Sequence, residues 1–337
     1  MPDNKLQAVY IVTGAAGHLG GAVVKALNER GNTVYALCLP KEKHIPQGEN
    51  IKVFYGNVCD INSLAGLFED CADKTAIVIH CAGIVSISSK FDKKVHDVNV
   101  NGTKNIISLC EKHKIEKLVH ISSVHAIPEL PEGEIIREVD NFSPNDVTGL
   151  YAKTKAEASQ CVIDYMKRGF NANIIHPSGI VGPGDFGSGH ITQLVIDYCR
   201  GGLTSGISGG YDFVDVRDVA NGILSCCEKG ERGQCFILSG HYYKIYDLLN
   251  LLHKLTGKKA IKRILPLWFV KLTAPLSEIY YRILNQPPLF TSYSIFTLNT
   301  NAGFSSEKAA KKLGYSARPM IQTLEDTVKW LKENNRL

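Results

Sequence analysis

Three glycines at a predicted strand-to-helix turn constrain the fold of this chain more than any other feature. Residues 13–20 read TGAAGHLG, with the glycines spaced G-x-x-G-x-x-G. Residues 8–12 before them are apolar and β-branched, which predicts a buried strand. Residues 21–30 have apolar side chains at helical spacing and precede Gly31, which predicts a helix. Because glycines at a helix N-terminus let a pyrophosphate approach backbone N–H groups, the stretch predicts a dinucleotide site, with a ligand-free tight turn as the alternative.

Predicted strands and helices alternate along the first half of the chain. Strands are predicted at 33–39, 52–55, 75–80 and 117–121, and helices at 61–71 and 95–112. Such alternation is typical of an α/β protein with a Rossmann-type, doubly wound parallel sheet and right-handed crossovers. Ligands bind at the carboxyl ends of the strands in this architecture. The glycine turn, Ala82-Gly83 and Ser122-Ser123 all follow predicted strands, so we expect them to converge on one site.

Composition and charge exclude several classes of function. The 337 residues carry a net charge of +5 with lysines spread along the chain, which argues against a nucleic-acid surface. The most hydrophobic stretch, residues 265–284, is interrupted by charged residues and a proline, so we predict no membrane span. The polar first residues do not have the pattern of a signal peptide. The expected partner is therefore a small-molecule substrate.

The chain has ten cysteines, none of them in a C-x-x-C motif or near histidines at metal-ligand spacing. They fall within predicted strands and helices, and Cys226 and Cys227 are adjacent, which is poor geometry for a disulfide. We therefore expect free thiols in a cytoplasmic protein that holds no metal.

The end of the second predicted strand bears on the choice between NAD and NADP. In NAD-binding folds of this type an acidic residue about 20 residues past the first glycine binds the ribose 2′-hydroxyl. Here no Asp or Glu lies between Thr33 and Lys41, and Lys41 and Lys43 follow the strand. The two lysines either attract a 2′-phosphate or face water. The sequence therefore slightly favours NADP over NAD.

Tyr151 and Lys155 lie four residues apart in a predicted helix and therefore share a helix face. Taken alone, such a pair is typical of a tyrosine and a solvated lysine on a surface. Its place in the chain, after the glycine turn and after a serine at the end of the fifth strand, favours a functional pair. In a reaction between an alcohol and a ketone, tyrosine can exchange the proton when a nearby ammonium lowers its pKa toward neutrality.

Eight motifs in order carry a resemblance over essentially the whole chain. They are TGAAGHLG at 13–20, GNVCD at 56–60, HCAG at 80–83, NVNGT at 99–103, ISSVHA at 121–126, YAKTK at 151–155, HPSGIVGPGD at 176–185 and FVDVRDVA at 213–220. With them the chain resembles the extended short-chain dehydrogenases/reductases of the NAD-dependent epimerase/dehydratase superfamily. Its C-terminal part is most similar to the branch of 3β-hydroxysteroid dehydrogenases and dihydroflavonol reductases.

The resemblance implies roles for individual residues. Ser123, Tyr151 and Lys155 are implied as catalytic residues, with Asn99 in support. Ser122 is the alternative serine, and Ser123 is preferred because the reacting serine of the family is the last of the run. Ser123 and Tyr151 are also implied substrate contacts, and Lys155 is implied to hold the nicotinamide ribose. His125, two residues after Ser123, is either a further substrate contact or a structural histidine. The implied cofactor contacts are Gly14, Ala16, Gly17, His18, Leu19, Leu39, Asn57, Val58, Cys81, Ala82, Gly83, Tyr151, Lys155, Pro177, Gly179 and Ile180.

The resemblance also implies two regions and a homodimer. Residues 1–176 and 212–240 are expected to form the dinucleotide-binding domain. Residues 177–211 and 241–337 are expected to form a smaller α/β region that binds the substrate. Two helices of the cofactor half are expected to form the dimer contact.

Two residues depart from the family pattern, and a third concerns the sugar-nucleotide alternative. Asn57 stands where Asp usually contacts the adenine amino group, and His176 stands where Arg commonly precedes the proline. Between Gly187 and Tyr211, Arg200 is the one candidate for the arginine that grips a diphosphate in sugar-nucleotide epimerases. The alternative for Arg200 is a simple helix end.

The apolar and aromatic residues at 265–284 bear on the substrate. They form either a core or dimer helix or a wall over a hydrophobic ring substrate. We therefore predict an NAD(P)-dependent oxidoreductase that interconverts a secondary alcohol and a ketone on a steroid-like, bile-acid-like or flavonoid-like ring. One alternative is a sugar-nucleotide epimerase or dehydratase with tightly bound NAD. Another is a non-catalytic dinucleotide-sensing protein, against which the intact Ser/Tyr/Lys set counts.

Overall fold

The computed structural model describes residues 8–86, 91–187, 189–266, 268, 270 and 296–337. Its strands, in chain order, are β1 (Val9–Thr13), β2 (Thr33–Cys38), β3 (Ile51–Tyr55), β4 (Ala76–His80), β5 (Lys117–Ile121), β6 (Ala172–Pro177), β7 (Gly179–Val181), β8 (Gly206–Ile207), β9 (Gly210–Asp215), β10 (Cys235–Leu238), β11 (His241–Lys244) and β12 (Ile264–Leu265). Its helices are α1 (His18–Glu29), α2 (Ala65–Glu69), α3 (Lys93–His96), α4 (Gly102–Lys112), α5 (Leu150–Lys167), α6 (His190–Cys199), α7 (Val216–Lys229), α8 (Ile245–Thr256), α9 (Glu307–Leu313) and α10 (Met320–Glu333).

Seven parallel strands form the central sheet in the order β10-β6-β5-β4-β1-β2-β3. Apart from the edge strand β3, their residues are almost all buried, because helices cover both faces. The chain runs outward from β1 to β3 on one side and from β4 to β6 on the other. Ligands bind where the strand order reverses in this way, which is here between β1 and β4. The predicted Rossmann-type, doubly wound sheet is confirmed.

A separate hydrophobic core lies on each face of the central sheet. On one face α1 and α7 pack together, and Val23, Leu27 and Ile223 are buried between them and the strands. On the other face α4 and α5 pack together and bury Ile106 and Ala156. Burial of such side chains stabilises the fold by roughly 1.5–3 kcal/mol each. Packing in these two layers holds in place the helices that follow the carboxyl ends of the strands.

The smaller α/β region lies beside the carboxyl end of the central sheet. Its three-stranded sheet has the order β11-β9-β7, with β9 parallel to β7 and antiparallel to β11. Strands β8 and β12 form a separate parallel pair. Helix α10 packs against α6, α8 and β9. The predicted smaller α/β region is confirmed as part of the fold.

Helix boundaries differ from the sequence predictions at three places. The helix predicted at 21–30 begins at His18, because Gly17 has an extended conformation and caps it. The helix predicted at 61–71 is a 3₁₀ turn, Ile61–Leu64, followed by α2. The helix predicted at 95–112 consists of α3, a π-helical turn at Asp97–Asn101 and α4. Hydrophobic spacing does not reveal a one-residue insertion into a helix, so the π turn was missed.

The remaining expectations concern membranes, metals, thiols and the apolar C-terminal stretch. Within the described ranges, no helix has the length and hydrophobicity needed to cross a membrane. Nor do three His, Cys, Asp or Glu side chains of the described part come together as metal ligands. All ten cysteines are free thiols. The stretch 265–284 falls mostly outside the described residues, so its role stays a prediction.

Candidate active site

A cavity of about 800 Å³ opens at the carboxyl ends of the central strands. This volume is in the range of sites that bury a small organic ligand. The cavity lining brings together the predicted site residues apart from Ala16 and Asn99. Those in the lining are Gly14, Gly17, His18, Leu19, Leu39, Asn57, Val58, Cys81, Ala82, Gly83, Ser123, His125, Tyr151, Lys155, Pro177, Gly179 and Ile180.

Two predicted site residues, Ala16 and Asn99, lie outside the cavity lining, so their roles stay predictions. Ala16 is partly buried and packs against the hydrophobic core, whereas Gly14 and Gly17 are in the cavity lining. Asn99 is buried in the π-helical turn, one layer behind the cavity wall.

The glycine turn between β1 and α1 packs closely against the residues that follow β4. Gly14 has a φ of +66°, and a Cβ there would lie 2.9 Å from the backbone nitrogen and Cα of Ala82. A Cβ on Gly20 would lie 2.1 Å from the carbonyl oxygen of Gly14. The N-cap of α1, Gly17, supplies no side-chain hydrogen bond to the first turn of the helix. The turn therefore presents uncapped backbone N–H groups to the cavity, which suits a pyrophosphate.

His18 connects the glycine turn to the loop that follows β7. Its Nε2 lies 3.2 Å from the carbonyl oxygen of Pro183. Burial lowers the pKa of His18, and the carboxylate of Asp185 opposes this shift. A neutral ring at this position holds the loop of the smaller region against the turn without adding a charge to the cavity.

Ser123, Tyr151 and Lys155 meet on one wall of the cavity. Ser123 follows β5 and caps the 3₁₀ turn Val124–Ala126, where its Oγ accepts a hydrogen bond from the His125 N–H at 3.2 Å. Tyr151 and Lys155 lie one turn apart near the start of α5. The Lys155 Nζ donates to the carbonyl oxygen of Ile121 at 2.5 Å. These three residues were predicted from their order along the sequence, and in the fold they line the same cavity.

The pKa of Tyr151 differs from the sequence expectation. Burial raises the pKa of Tyr151 to about 12, and its hydrogen bond with Ser123 opposes this increase. Burial also lowers the pKa of Lys155 to about 8. The predicted fall of the tyrosine pKa toward neutrality is therefore wrong for this arrangement. The reason is that the loss of hydration on burial dominates, while the ammonium is directed to the Ile121 carbonyl.

Asn99 ties the end of β4 to the helix that carries Tyr151. Its Oδ1 accepts from the Ile84 N–H at 2.8 Å, and its Nδ2 donates to the Ile84 carbonyl and to the Thr154 Oγ1, both at 3.0 Å. The Thr154 hydroxyl in turn donates to the Tyr151 carbonyl at 2.8 Å. The π-helical turn places the Asn99 side chain at this junction, where its amide is hydrogen-bonded within the protein.

His176, which stands where the family commonly has arginine, supports Ser123. Its Nδ1 lies 3.0 Å from the Ser123 carbonyl oxygen, and its ring stacks on Phe142. The side chain is fully buried, and burial lowers its pKa to about 4. A neutral imidazole can donate from Nδ1 and so fix the backbone of Ser123 without a buried charge.

The cavity reaches the end of β2, where the sequence analysis pointed to Lys41 and Lys43. Glu42, not Lys41 or Lys43, is in the lining. Its Oε2 accepts a hydrogen bond from the Leu39 N–H at 3.3 Å. The sequence reasoning missed Glu42 because it lies just beyond the window searched for an acid. Folding of the loop after β2 brings the carboxylate back to the strand end.

The cavity lining as a whole is mostly apolar. Beyond the predicted site residues it includes Ile84, Val85 and Ile191, together with the polar residues Lys94, Asp185 and His190. Among the residues that the structure describes, no arginine lines the cavity. Apolar side chains with a few polar groups are typical of a site for a hydrophobic ligand.

Two side chains bear on the predictions for this cavity. Arg200 ends α6 on the exposed surface and donates to the Arg336 carbonyl at 3.1 Å, so it is a helix end and not a diphosphate clamp. Tyr211 lines the cavity beside His125 and was missed. The sequence signal was available, since Tyr211 lies two residues before the FVDVRDVA motif at 213–220.

Comparison with known protein families identifies one family that matches most of the chain. The NAD dependent epimerase/dehydratase family matches residues 10–242. Sterol demethylase protein B of Methylococcus capsulatus is 29% identical over 333 residues, which cover 97% of this chain and 99% of that protein. The 3 beta-hydroxysteroid dehydrogenase/Delta 5-->4-isomerase of vaccinia virus is 26% identical over 367 residues, covering 97% and 99%.

Solved structures agree with the fold. The crystal structure of gox2253 has a TM-score of 0.83 at 28% identity, and the match covers 98% of this chain and 99% of that one. The structure of MoeE5 in complex with UDP-glucose and NAD has a TM-score of 0.74 at 18% identity, covering 97% and 99%. The second match bears on the fold alone.

Proposed function

The chain belongs to the NAD dependent epimerase/dehydratase family and is an enzyme of the extended short-chain dehydrogenase/reductase class, and on this premise we propose that it interconverts a secondary alcohol and a ketone on a hydrophobic ring substrate. The observation that carries the proposal is that Ser123, Tyr151 and Lys155 line one mostly apolar cavity, in which no arginine is found among the described residues. Relatives named for steroid and dihydroflavonol chemistry support a ring substrate.

The residues of the cavity fit a bound nicotinamide dinucleotide. The uncapped N-terminus of α1 and the space left by Gly14 and Gly17 suit its pyrophosphate. Lys155 lies beside Ala82 and Gly83, where small residues leave room for a ribose and a ring. When bound, the cofactor supplies or accepts the hydride. The chain itself contributes binding, orientation and the proton.

Each of the three predicted catalytic side chains has a separate role in ketone reduction. The Ser123 hydroxyl donates a hydrogen bond to the substrate oxygen and orients it. As a hydride reaches the carbonyl carbon, the Tyr151 hydroxyl gives its proton to the oxygen, so the product is the alcohol and Tyr151 becomes a phenolate. The Lys155 ammonium stabilises the phenolate until it takes a proton from water. Alcohol oxidation follows the same steps in reverse.

The pH dependence of ketone reduction follows from the pKa values of Tyr151 and Lys155. Tyr151, with a pKa of about 12, keeps its proton below that pH. Lys155, with a pKa of about 8, is an ammonium below pH 8 and loses its charge above it. We therefore expect kcat/KM for reduction to be level below pH 8 and to fall above it, by up to about tenfold per pH unit. A profile that stays level to pH 10 contradicts this role of Lys155.

The expected preference for NAD or NADP depends on Glu42. The slight preference of the sequence for NADP depended on Lys41 and Lys43, which are exposed and outside the cavity lining. Glu42 puts a carboxylate into the lining at the end of β2. A carboxylate there accepts hydrogen bonds from ribose hydroxyls and repels a 2′-phosphate. The proposed cofactor is therefore NAD.

Substitution of Glu42 tests the cofactor choice. We expect the wild-type enzyme to bind NADH at least tenfold more tightly than NADPH, and Glu42→Gln to reduce that ratio by about tenfold, because a like-charge repulsion of roughly 1.4 kcal/mol is removed. The double variant Lys41→Gln/Lys43→Gln is the matched control and leaves the ratio within about twofold. Fluorescence titration gives both dissociation constants. A wild-type preference for NADPH that disappears in the lysine variant would overturn the choice.

A substrate panel tests the reaction class. Purified protein is incubated with NADH or NADPH and either steroid and flavonoid ketones or UDP- and GDP-sugars, and absorbance and products are followed. The proposal expects oxidation of the reduced cofactor with ring ketones. Turnover of the sugar nucleotides alone supports an epimerase or dehydratase instead. Cofactor binding without any turnover supports a dinucleotide sensor.

Assembly and cellular location stay predictions. We propose a homodimer because the resemblance implies one, and light scattering on the purified chain measures its mass. A monomer at micromolar concentration contradicts it. A cytoplasmic location is proposed from the free thiols, all ten of which are unpaired. The division at 1–176 with 212–240 and 177–211 with 241–337 is likewise proposed.

A further inference from the structure

An aromatic pair forms the cavity wall next to Tyr151 and has no part in the proposed proton transfer. The Tyr211 hydroxyl and the His125 Nε2 lie 3.0 Å apart, at hydrogen-bond distance. Their rings are nearly parallel, with 14° between the planes and 5.5 Å between the centroids. The His125 ring also meets the Tyr151 ring edge-on, with centroids 6.2 Å apart. The pair therefore lies directly beside the proposed proton donor.

The Tyr211 ring is held from its other sides as well. Phe213, two residues along β9, packs edge-on against it with centroids 6.0 Å apart. Phe304, from the C-terminal part of the chain, packs edge-on at 6.1 Å. Ring pairs of this geometry attract each other beyond their burial. Contacts from three rings fix Tyr211 in one orientation, so the pair is a rigid wall.

A second cavity of about 20 Å³ lies behind this wall. It has room for about one water molecule. His125 and Tyr211 line both this small cavity and the large one, so the pair separates them. Several of the other residues around the small cavity are apolar, among them Ile127, Ile136 and Val147. The polar residues Glu129, Thr148, Thr300 and Asn301 complete this lining, and the His125 and Tyr211 side chains form the partition.

We propose that the His125–Tyr211 pair is the end wall of the substrate site and sets how far a ring substrate extends past Tyr151. The proposal rests on the function proposed above. A ketone oxygen bound by Ser123 and Tyr151 lies next to His125, whose N–H donates to the Ser123 hydroxyl at 3.2 Å. A substituent on the substrate that points in this direction meets the Tyr211 ring. Removal of that ring joins the two cavities and lengthens the site.

A homologous series of ketones measures the length of the site. The probes are 4-n-alkylcyclohexanones from methyl to octyl with NADH, and kcat/KM is determined for each. The variants that open the wall are Tyr211→Ala and, as a smaller change that retains more packing, Tyr211→Leu. Tyr211→Phe keeps the ring and removes only the hydroxyl. Tyr242→Ala is the matched control, because Tyr242 is exposed on the neighbouring strand β11 and lines neither cavity.

The expected result is a shift of the preferred chain length. In the wild-type enzyme kcat/KM rises about fourfold with each buried methylene until the chain meets the wall, and then falls. In Tyr211→Ala and Tyr211→Leu the maximum moves to chains at least two carbons longer. Tyr211→Phe and Tyr242→Ala keep the wild-type maximum.

Two results would overturn the proposal, and they are distinguishable. If Tyr211→Ala or Tyr211→Leu binds NADH as the wild type does and keeps the wild-type maximum, the end wall lies elsewhere while the proposed reaction stands. If the wild-type enzyme reduces none of the ketones although it binds NADH, the proposed function fails, and the end wall fails with it. NADH fluorescence reports in each case whether the variant is folded.

Discussion

Replacement of Tyr151 by phenylalanine is expected to lower kcat for ketone reduction by about 10²- to 10⁴-fold, the usual contribution of a positioned proton donor. The dissociation constant for NADH is expected to stay within about threefold of the wild-type value. Only the hydroxyl is lost, and the ring keeps its edge contact with His125. The Tyr151 carbonyl also keeps its hydrogen bond from Thr154, so the start of α5 does not move.

Tyr165→Phe is the matched control for this prediction. Tyr165 lies on the same helix, is buried in the core and does not line the cavity. Its change is expected to leave kcat within about twofold of the wild type. Steady-state kinetics with saturating NADH separate kcat from cofactor binding. Wild-type kcat in Tyr151→Phe, or an equal loss in both variants, means that Tyr151 is not the proton donor.

Replacement of Gly20 by alanine is expected to weaken NADH binding by at least about 100-fold. The new Cβ would lie 2.1 Å from the Gly14 carbonyl oxygen, so either the turn or the start of α1 must shift. Both shifts displace the backbone N–H groups that are proposed to bind the pyrophosphate. Forced overpacking of this kind also costs about 1–3 kcal/mol of folding free energy, so the melting temperature falls.

The adjacent glycine provides the control. A Cβ on Gly21 would lie 3.5 Å from the Ala15 carbonyl oxygen, an ordinary contact, and Gly21 is not in the cavity lining. Alanine is also the better helix former, so Gly21→Ala is expected to bind NADH normally and to melt at or above the wild-type temperature. Isothermal titration and thermal melts of the two variants make the comparison. Normal binding by Gly20→Ala contradicts the proposed pyrophosphate site.

The sequence was sufficient for the parallel sheet and for most of the cavity. Buried parallel strands are runs of apolar residues, and such runs end where the ligand site begins. The fifth strand, Lys117–Ile121, has the predicted bounds, and Ser123 follows it at the cavity. Gly14 was identified from its strand-to-helix turn, and Tyr151 from its order after that turn and Ser123 together with the family resemblance. Local spacing along the chain determines these features.

Features that depend on contacts between distant segments were not predictable. The π-helical turn that places Asn99 against Ile84 leaves no mark on helical spacing. The inward position of Glu42 depends on how the loop after β2 folds back. The pKa of Tyr151 depends on burial by the surrounding chain, which outweighs the nearby lysine. These properties arise from tertiary packing, so the sequence patterns either did not predict them or predicted them incorrectly.

The partition between the two cavities is a further example. His125 and Tyr211 are 86 residues apart in the chain, and their hydrogen bond exists only because β9 lies beside the end of β5. The sequence left His125 as either a substrate contact or a structural residue. In the fold it is in the cavity lining and is bonded to a tyrosine that was not predicted. Pairing with Tyr211 therefore gives His125 a definite proposed role.

Transfer of deuterium tests the central claim most directly. The enzyme is incubated with NADH deuterated at C4 of the nicotinamide on the transferred face and with the ring ketone that turns over fastest, and the product is analysed by mass spectrometry. The account predicts an alcohol that carries one deuterium on the carbinol carbon, formed in the wild type and suppressed by about 10²-fold or more in Tyr151→Phe. An alcohol without deuterium from either face of the labelled cofactor, or label found only in a sugar nucleotide, would contradict it.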